Sequence, residues 1–98
     1  MIKHYNVTGN STEELISPNT FRNVINGFWI TNKHASDAVV VDLYVEKLLT
    51  GTFYYLKSQS IAVSNYLQVK DIRIENGDGF GIYIKLNNSD SDVDIIFN

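Results

Sequence analysis

The final residues, "NNSDSDVDIIFN", set aspartates at positions 90, 92 and 94, one at every second place. Carboxylates so spaced can ligate a cation, act as a catalytic cluster, or line the wet face of a strand. A calcium loop of the EF-hand type needs ligands over about twelve residues, a glycine at its sixth place and a closing bidentate glutamate. From Asp90 only nine residues remain, the sixth place is Ile95, and no glutamate follows. The calcium loop fails. A strand explains the spacing: Asp92 and Asp94 face one way, Val93, Ile95 and Phe97 the other, and Asp90 belongs to the preceding turn. Outward carboxylates on a terminal strand also oppose edge-to-edge aggregation. A surface site at Asp90, Asp92 and Asp94 for a cation shared with a neighbouring subunit stays open.

Two further patterns have the outline of chemistry. Gly77, Gly79 and Gly81 in "NGDGFG" could suggest a phosphate cradle, but such a loop follows a buried parallel strand and opens a helix. Here "IYIKLN" follows, which is strand, so Asn76–Gly79 reads as a turn between antiparallel strands. His34 has Ser36 and Asp37 close by in a polar turn, and His4 lies near the N-terminus. Acid–base or nucleophilic work needs an oriented constellation, and neighbours within one turn seldom make a triad. No catalytic residue, cofactor or metal ligand is assigned, and the chain is expected not to be an enzyme.

The elements that must position these side chains are strands. In "VVVDLYVE", Val39, Val41, Leu43 and Val45 oppose Asp42, Tyr44 and Glu46. In "GIYIKLN", Ile82, Ile84 and Leu86 oppose Tyr83 and Lys85, and in "DIRIE", Ile72 and Ile74 oppose Asp71, Arg73 and Glu75. Such alternation marks half-buried strands. "NVINGFWITN" reads as a central strand buried on both sides, with Trp29 inside and Gly27 permitting a close approach or a bulge. "GTFYYLKS" should pair back on 39–49 as a hairpin, and "SIAVSNYLQV" keeps Ile61, Val63, Leu67 and Val69 in phase, as one strand or an extended crossing. "NSTEELI" has capping-box spacing, but Pro18 leaves barely one turn of helix, so strand is preferred.

Turn signals between short strands predict an all-β fold, a single antiparallel β-sandwich or jelly-roll-like domain of about seven to eight strands. Residues 1–10 read as an N-terminal arm and 11–98 as the domain. With 98 residues there is room for one core only. Hydrophobic residues at 44% and charged residues at 19% are globular proportions, which argues against disorder. The net charge of −3, with scattered lysines and arginines, argues against a nucleic-acid partner. The absence of cysteine removes disulfides and thiolate metal sites. No segment approaches a membrane span and no signal-like start is present, so a soluble, unexported protein is expected.

Six Tyr, five Phe and one Trp are generous for this length. Tyr44, Tyr83 and at least one tyrosine of "FYY", here Tyr54, fall on outward phases. Such rings serve as protein contacts or as stacking platforms for sugars.

The order of segments resembles a loose group of small virion structural proteins of tailed bacteriophages. The shared run comprises Gly27, Ile30 and Asn32, then Tyr54, Tyr55, Leu56 and Ile61, then Gly77 and Asp78. It covers about residues 12–97; a proline expected after Ile61 is Ala62, and "GDGFG" carries extra glycines. The resemblance implies a non-enzymatic β-sandwich that binds the major capsid protein or other virion proteins, in many copies or as a homo-oligomer. Such a protein is made in the host cytoplasm and resides in the virion. An auxiliary decoration or cement role on the capsid is expected, with Ile2, Lys3, His4, Tyr5, Tyr44, Tyr54 and Tyr83 at the contact. A neck, tail or baseplate component is the alternative within this class. A carbohydrate-binding module using Trp29 or Tyr54/Tyr55 is the alternative outside it, and exposure of Trp29 would favour it.

Overall fold

A computed structural model describes residues 3–18, 24–74 and 79–98. They form eight strands: β1 (Lys3–Thr8), β2 (Glu13–Ile16), β3 (Phe28–Asn32), β4 (Val39–Lys47), β5 (Gly51–Ile61), β6 (Tyr66–Val69), β7 (Gly81–Leu86) and β8 (Asp92–Phe97). Two four-stranded sheets result, ordered β1-β8-β3-β6 and β2-β7-β4-β5, with every pairing antiparallel. Eight strands dealt between two sheets in that order make a jelly roll. The expected all-β sandwich is observed.

Alternation builds the core. Val39, Val41 and Leu43 of β4, Ile82, Ile84 and Leu86 of β7, and Val93, Ile95 and Phe97 of β8 are all buried between the sheets. Phe28 and Ile30 of β3 join them, and Phe28 meets Phe97 edge-on with centroids 6.4 Å apart, a usual spacing for such a pair. Beyond β3, Ile25 and Ile74 exchange main-chain hydrogen bonds of 2.9 and 2.8 Å, with both side chains buried. Asp92 and Asp94 lie on the outer side of β8, as the strand reading of the C-terminal aspartates requires.

Four expectations need correction. The N-terminal segment is not a free arm: Lys3–Thr8 is an edge strand, laddered on β8 from Lys3↔Phe97 to Thr8↔Asp92. β3 is central but not buried on both faces, because Trp29 points outward and is 38% exposed. Residues 61–69 are not one strand; a turn at 62–65 separates β5 from β6, and Val63 is exposed. Finally, among the described residues of "DIRIE" the pairing is limited to the Ile25↔Ile74 bridge and a hydrogen bond from the Ile72 N–H to the Asn26 carbonyl at 3.1 Å, although Ile74 is buried as its phase demands. Its last residue and most of the Asn76–Gly79 turn lie outside the described residues.

Gly27 does permit a close approach. A Cβ there would stand 2.6 Å from the Val69 carbonyl oxygen and 3.2 Å from Asn98 Oδ1, so only glycine fits.

Candidate functional site

The acidic cluster gathers at one end of the sandwich. His34 Nε2 lies 3.0 Å from Asp90 Oδ2 and 4.0 Å from Asp37 Oδ2. These are metal-ligating residue types within 4.8 Å of one another. The hydrogen bonds give them another task. Nδ1 of His34 accepts from the main-chain N–H groups of Ser36 and Asp37, at 3.1 and 2.9 Å. A neutral ring bonded in this way carries its proton on Nε2, pointing at Asp90. A cation at Nε2 would drive that proton onto Nδ1, against two donors. The same bonds leave no basic lone pair for proton abstraction. The cluster therefore latches the 33–37 turn to the 87–91 turn. The hydrogen bond to Asp90 raises the imidazole pKa above its ordinary value, and the same bond lowers that of Asp90.

Asp92 and Asp94 are also engaged. The side-chain amide of Asn6 in β1 donates to one oxygen of each, at 2.9 Å in both cases. Lys33 Nζ stands 3.5 Å from Asp94. The donor end of an amide occupies the place between the carboxylates that a cation would need.

The tyrosines singled out in the sequence do meet. On the outer face of the β2-β7-β4-β5 sheet, the register sets Glu14, Tyr83, Tyr44 and Tyr54 side by side on four strands. Tyr83 stacks on Tyr44 with centroids 5.6 Å apart, and Tyr44 lies 5.1 Å from Tyr54. Lys57 Nζ sits 4.6 Å from the Tyr54 centroid, and the Tyr83 hydroxyl donates to Glu14 at 3.1 Å. Burial, seconded by Glu14, raises the Tyr83 pKa.

The row runs into the β4–β5 hairpin, where the surface turns apolar. Leu48 is 86% and Leu49 fully exposed at its tip, and Phe53 is 54% exposed just beyond. Phe53 packs edge-on to Phe80 at 6.0 Å. Tyr55 is the extra residue of a bulge, since Leu43 pairs with Leu56 while Tyr44 pairs with Tyr54. Leu49 has φ = 66°, in the left-handed region.

The remaining expected contact residues lie elsewhere. Lys3, His4 and Tyr5 belong to the opposite sheet. His4 faces outward beside Ile96, whereas Tyr5 turns inward and meets the Phe97 ring edge-on at 6.0 Å. Tyr5 thus serves packing, and Ile2 lies outside the described residues.

One feature was missed in the sequence. Trp29 and Tyr66 stack on the outer face of the β1-β8-β3-β6 sheet, 4.8 Å apart with 21° between planes. Trp29 also lines a cleft of about 340 Å³ with Gly27, Gln68, Ile96 and Asn98 among its walls. The signal lay in Thr31 between Ile30 and Asn32, whose outward phase carries Trp29 with it.

No protein-family model and no curated protein matches the sequence. Solved structures do resemble the fold. Crystalline PirA is 15% identical over 98% of this chain and 91% of its own, with a TM-score of 0.57. The VP2 subviral particle of infectious bursal disease virus is 11% identical, over 98% of this chain and 32% of that one, with a TM-score of 0.49. The Yersinia pseudotuberculosis-derived mitogen is 12% identical over 99% and 81%, with a TM-score of 0.45. At 15% identity, what this chain has in common with PirA is its fold.

Proposed function

We propose that this chain is a non-enzymatic virion structural protein of a tailed bacteriophage, an auxiliary protein that docks on the major capsid protein. The observation that carries this reading is the apolar end of the β4–β5 hairpin. Leu48, Leu49, Phe53, Tyr54 and Tyr55 are all exposed within eight residues of chain, and Tyr44 continues the surface. Solvent-facing apolar area concentrated in this way marks a contact surface for another protein. Leu49 adds to it, because a fully exposed leucine in the left-handed region costs backbone energy that no intramolecular packing returns. The run of residues from Gly27 to Asp78 that resembles phage virion proteins supports a virion protein as the partner.

Tyrosines supply contact area at a low cost in side-chain entropy, and Lys57 and Glu14 at the two ends of the row give polar rim contacts. One small domain buries little per contact, so many copies on a repeating shell would make the attachment firm.

Co-sedimentation of the purified chain with stripped capsids, and separately with purified tails, tests the reading. Saturable capsid binding at a fixed ratio to the shell protein, weakened by Tyr54→Ala and Leu49→Ser, is the expected result. Binding to tails alone moves the protein to the neck, tail or baseplate. Binding to neither overturns the virion role.

A further inference from the structure

The cleft beside Trp29 has no part in the docking surface, because it lies on the opposite sheet. Its construction runs outward from β3. Tyr66 pairs with Thr31, two residues beyond Trp29, and Gly27 stands two residues before it. Tyr66 therefore backs the indole on one side and lies outside the cleft, while Gly27 lines the cleft together with the indole. The space a side chain at 27 would take is filled by the Val69 carbonyl oxygen, so this position gives the cleft main chain only. Asn98 Oδ1 lies beside that carbonyl, 3.2 Å from where a Cβ at 27 would stand, and Gln68, Lys70 and Asp71 also line the cleft. Among the described residues, the side chains of Gln68, Lys70, Asp71 and Asn98 have no hydrogen-bonding or ionic partner within the chain.

We infer that this cleft is a carbohydrate-binding site, which takes one pyranose ring of a glycan against the indole of Trp29. A pyranose has a C–H face and a rim of hydroxyls. The C–H face suits the electron-rich face of an indole, and the stack with Tyr66 holds that indole in place before any ligand arrives. Each hydroxyl both donates and accepts, so the complementary side chains are amides and carboxylates, which Gln68, Asn98 and Asp71 supply. The volume of about 340 Å³ lies at the small end of the range for ligand pockets, about 300–1,000 Å³, which suits one ring rather than a buried chain.

The same features weigh against other occupants. A lipid or drug-like apolar ligand would leave four polar side chains unpaired. Lys70 and Asp71 are neighbours of opposite charge, so the cleft presents no net field for an anion. A nucleic-acid strand needs a basic track, and this chain has net charge −3.

The native protein carries its own probe, since Trp29 is its one tryptophan. Selectively excited emission would be titrated with glucose, galactose, mannose, rhamnose, N-acetylglucosamine and N-acetylgalactosamine, and with their short oligosaccharides, up to high millimolar concentration. A polyproline peptide and oligo-dT are the rival probes. At least one sugar should give a saturable emission change and protect Trp29 from acrylamide. Gln68→Ala and Asn98→Ala should each weaken that sugar at least fivefold with the unfolding temperature unchanged. Silence with every sugar overturns the inference, as does a response to the peptide or oligo-dT alone, or sugar binding that both variants leave intact. Leu49→Ser should retain sugar binding while losing capsid binding, so failure of one reading is distinct from failure of the other.

Discussion

The side-chain amide of Asn32, the last residue of inner strand β3 in one sheet, donates to the main-chain carbonyl of Ile61, at the end of a strand in the other, at 3.0 Å. The same amide donates to the Asp37 carbonyl at 3.0 Å, and Asn32 Oδ1 accepts from the His34 N–H at 2.8 Å. The side chain is 3% exposed, so these bonds are made away from water. Removing it leaves the Ile61 carbonyl buried without this donor. Asn32→Ala should therefore cost about 2–4 kcal/mol, one or two bonds plus an unsatisfied partner. Asn32→Asp keeps the acceptor, loses both donors and buries a charge against two carbonyls, so it should cost at least as much. A lower urea midpoint with unchanged slope would bear this out; a midpoint within error of the parent would show that the sheets need no such clamp.

Asp42 governs the shape of the long hairpin. Its Oδ1 accepts the Ser58 N–H at 2.7 Å, and Lys57 Nζ stands 3.9 Å from Oδ2. The register between β4 and β5 shifts at this point, and Ser58 has φ = 53°. The carboxylate thus satisfies an N–H that the bulge withdraws from the ladder. Asp42→Ala should cost about 1 kcal/mol, the site being partly solvated, and Asp42→Asn less, because an amide oxygen still accepts. Amide exchange offers the sharper readout: Ser58 should exchange faster in Asp42→Ala than in Asp42→Asn. Equal rates would mean that the ladder alone sets the bulge.

The His34–Asp90 latch has a pH signature. Asp90 is held below the ordinary carboxylate value of 3.8 by its bond to His34. A depressed carboxylate stabilises the fold above its unfolded pKa, and that contribution disappears as pH falls through the lower folded value. Acid should therefore loosen the 33–37 turn before the core melts. His34, pulled upward by the same bond, should titrate above 6.5 in the parent and lower in Asp90→Asn. Charging the ring puts a proton on Nδ1, so the Ser36 and Asp37 amide resonances should move with that titration. If these amides stay still while the ring titrates, Nδ1 is not their acceptor.

Most of the fold was legible because burial leaves a period of two. β4, β7 and β8 each carry an uninterrupted apolar phase, and each proved to be a strand with that phase inside. β1 was hidden because "KHYNVT" carries only Tyr5 and Val7 as its apolar phase; the strand exists through its ladder on β8, ninety residues away in sequence. "DIRIE" shows the reverse. Its alternation reports Ile72 and Ile74 turned toward the core, yet period two says nothing of hydrogen bonding, and there is one bridge. At Phe28-Trp29-Ile30, three adjacent apolar residues must fall on two faces; the apolar run suggests burial of all three, and only the polar Thr31 two places on marks the phase that sets the indole on the wet one. The tyrosine row was legible in part: phase put Tyr44 and Tyr83 outside, while the bulges decide that Tyr54 joins them. The His34 latch could not be read, since it depends on two turns that meet only once the strands are packed.

Leu49 separates stability from function at the hairpin tip. A leucine at φ = 66° is strained by its Cβ, and its side chain, fully exposed, gains nothing from burial. Relief of the left-handed strain is worth about 1–2 kcal/mol, of which the greater freedom of an unfolded glycine takes back about half. Leu49→Gly should therefore raise stability by up to about 1 kcal/mol, as a higher unfolding midpoint. Leu49→Asn, a residue that tolerates the same backbone, should give a similar shift. If the tip docks on capsid, both variants should bind it more weakly although they fold better, since they remove an apolar contact and leave the scaffold intact. Greater stability with undiminished capsid binding would take the tip out of the interface and leave the tyrosine row to carry it. Lower stability in both variants would mean that Leu49 packs on the hairpin in solution, and that its side chain is not waiting for a partner.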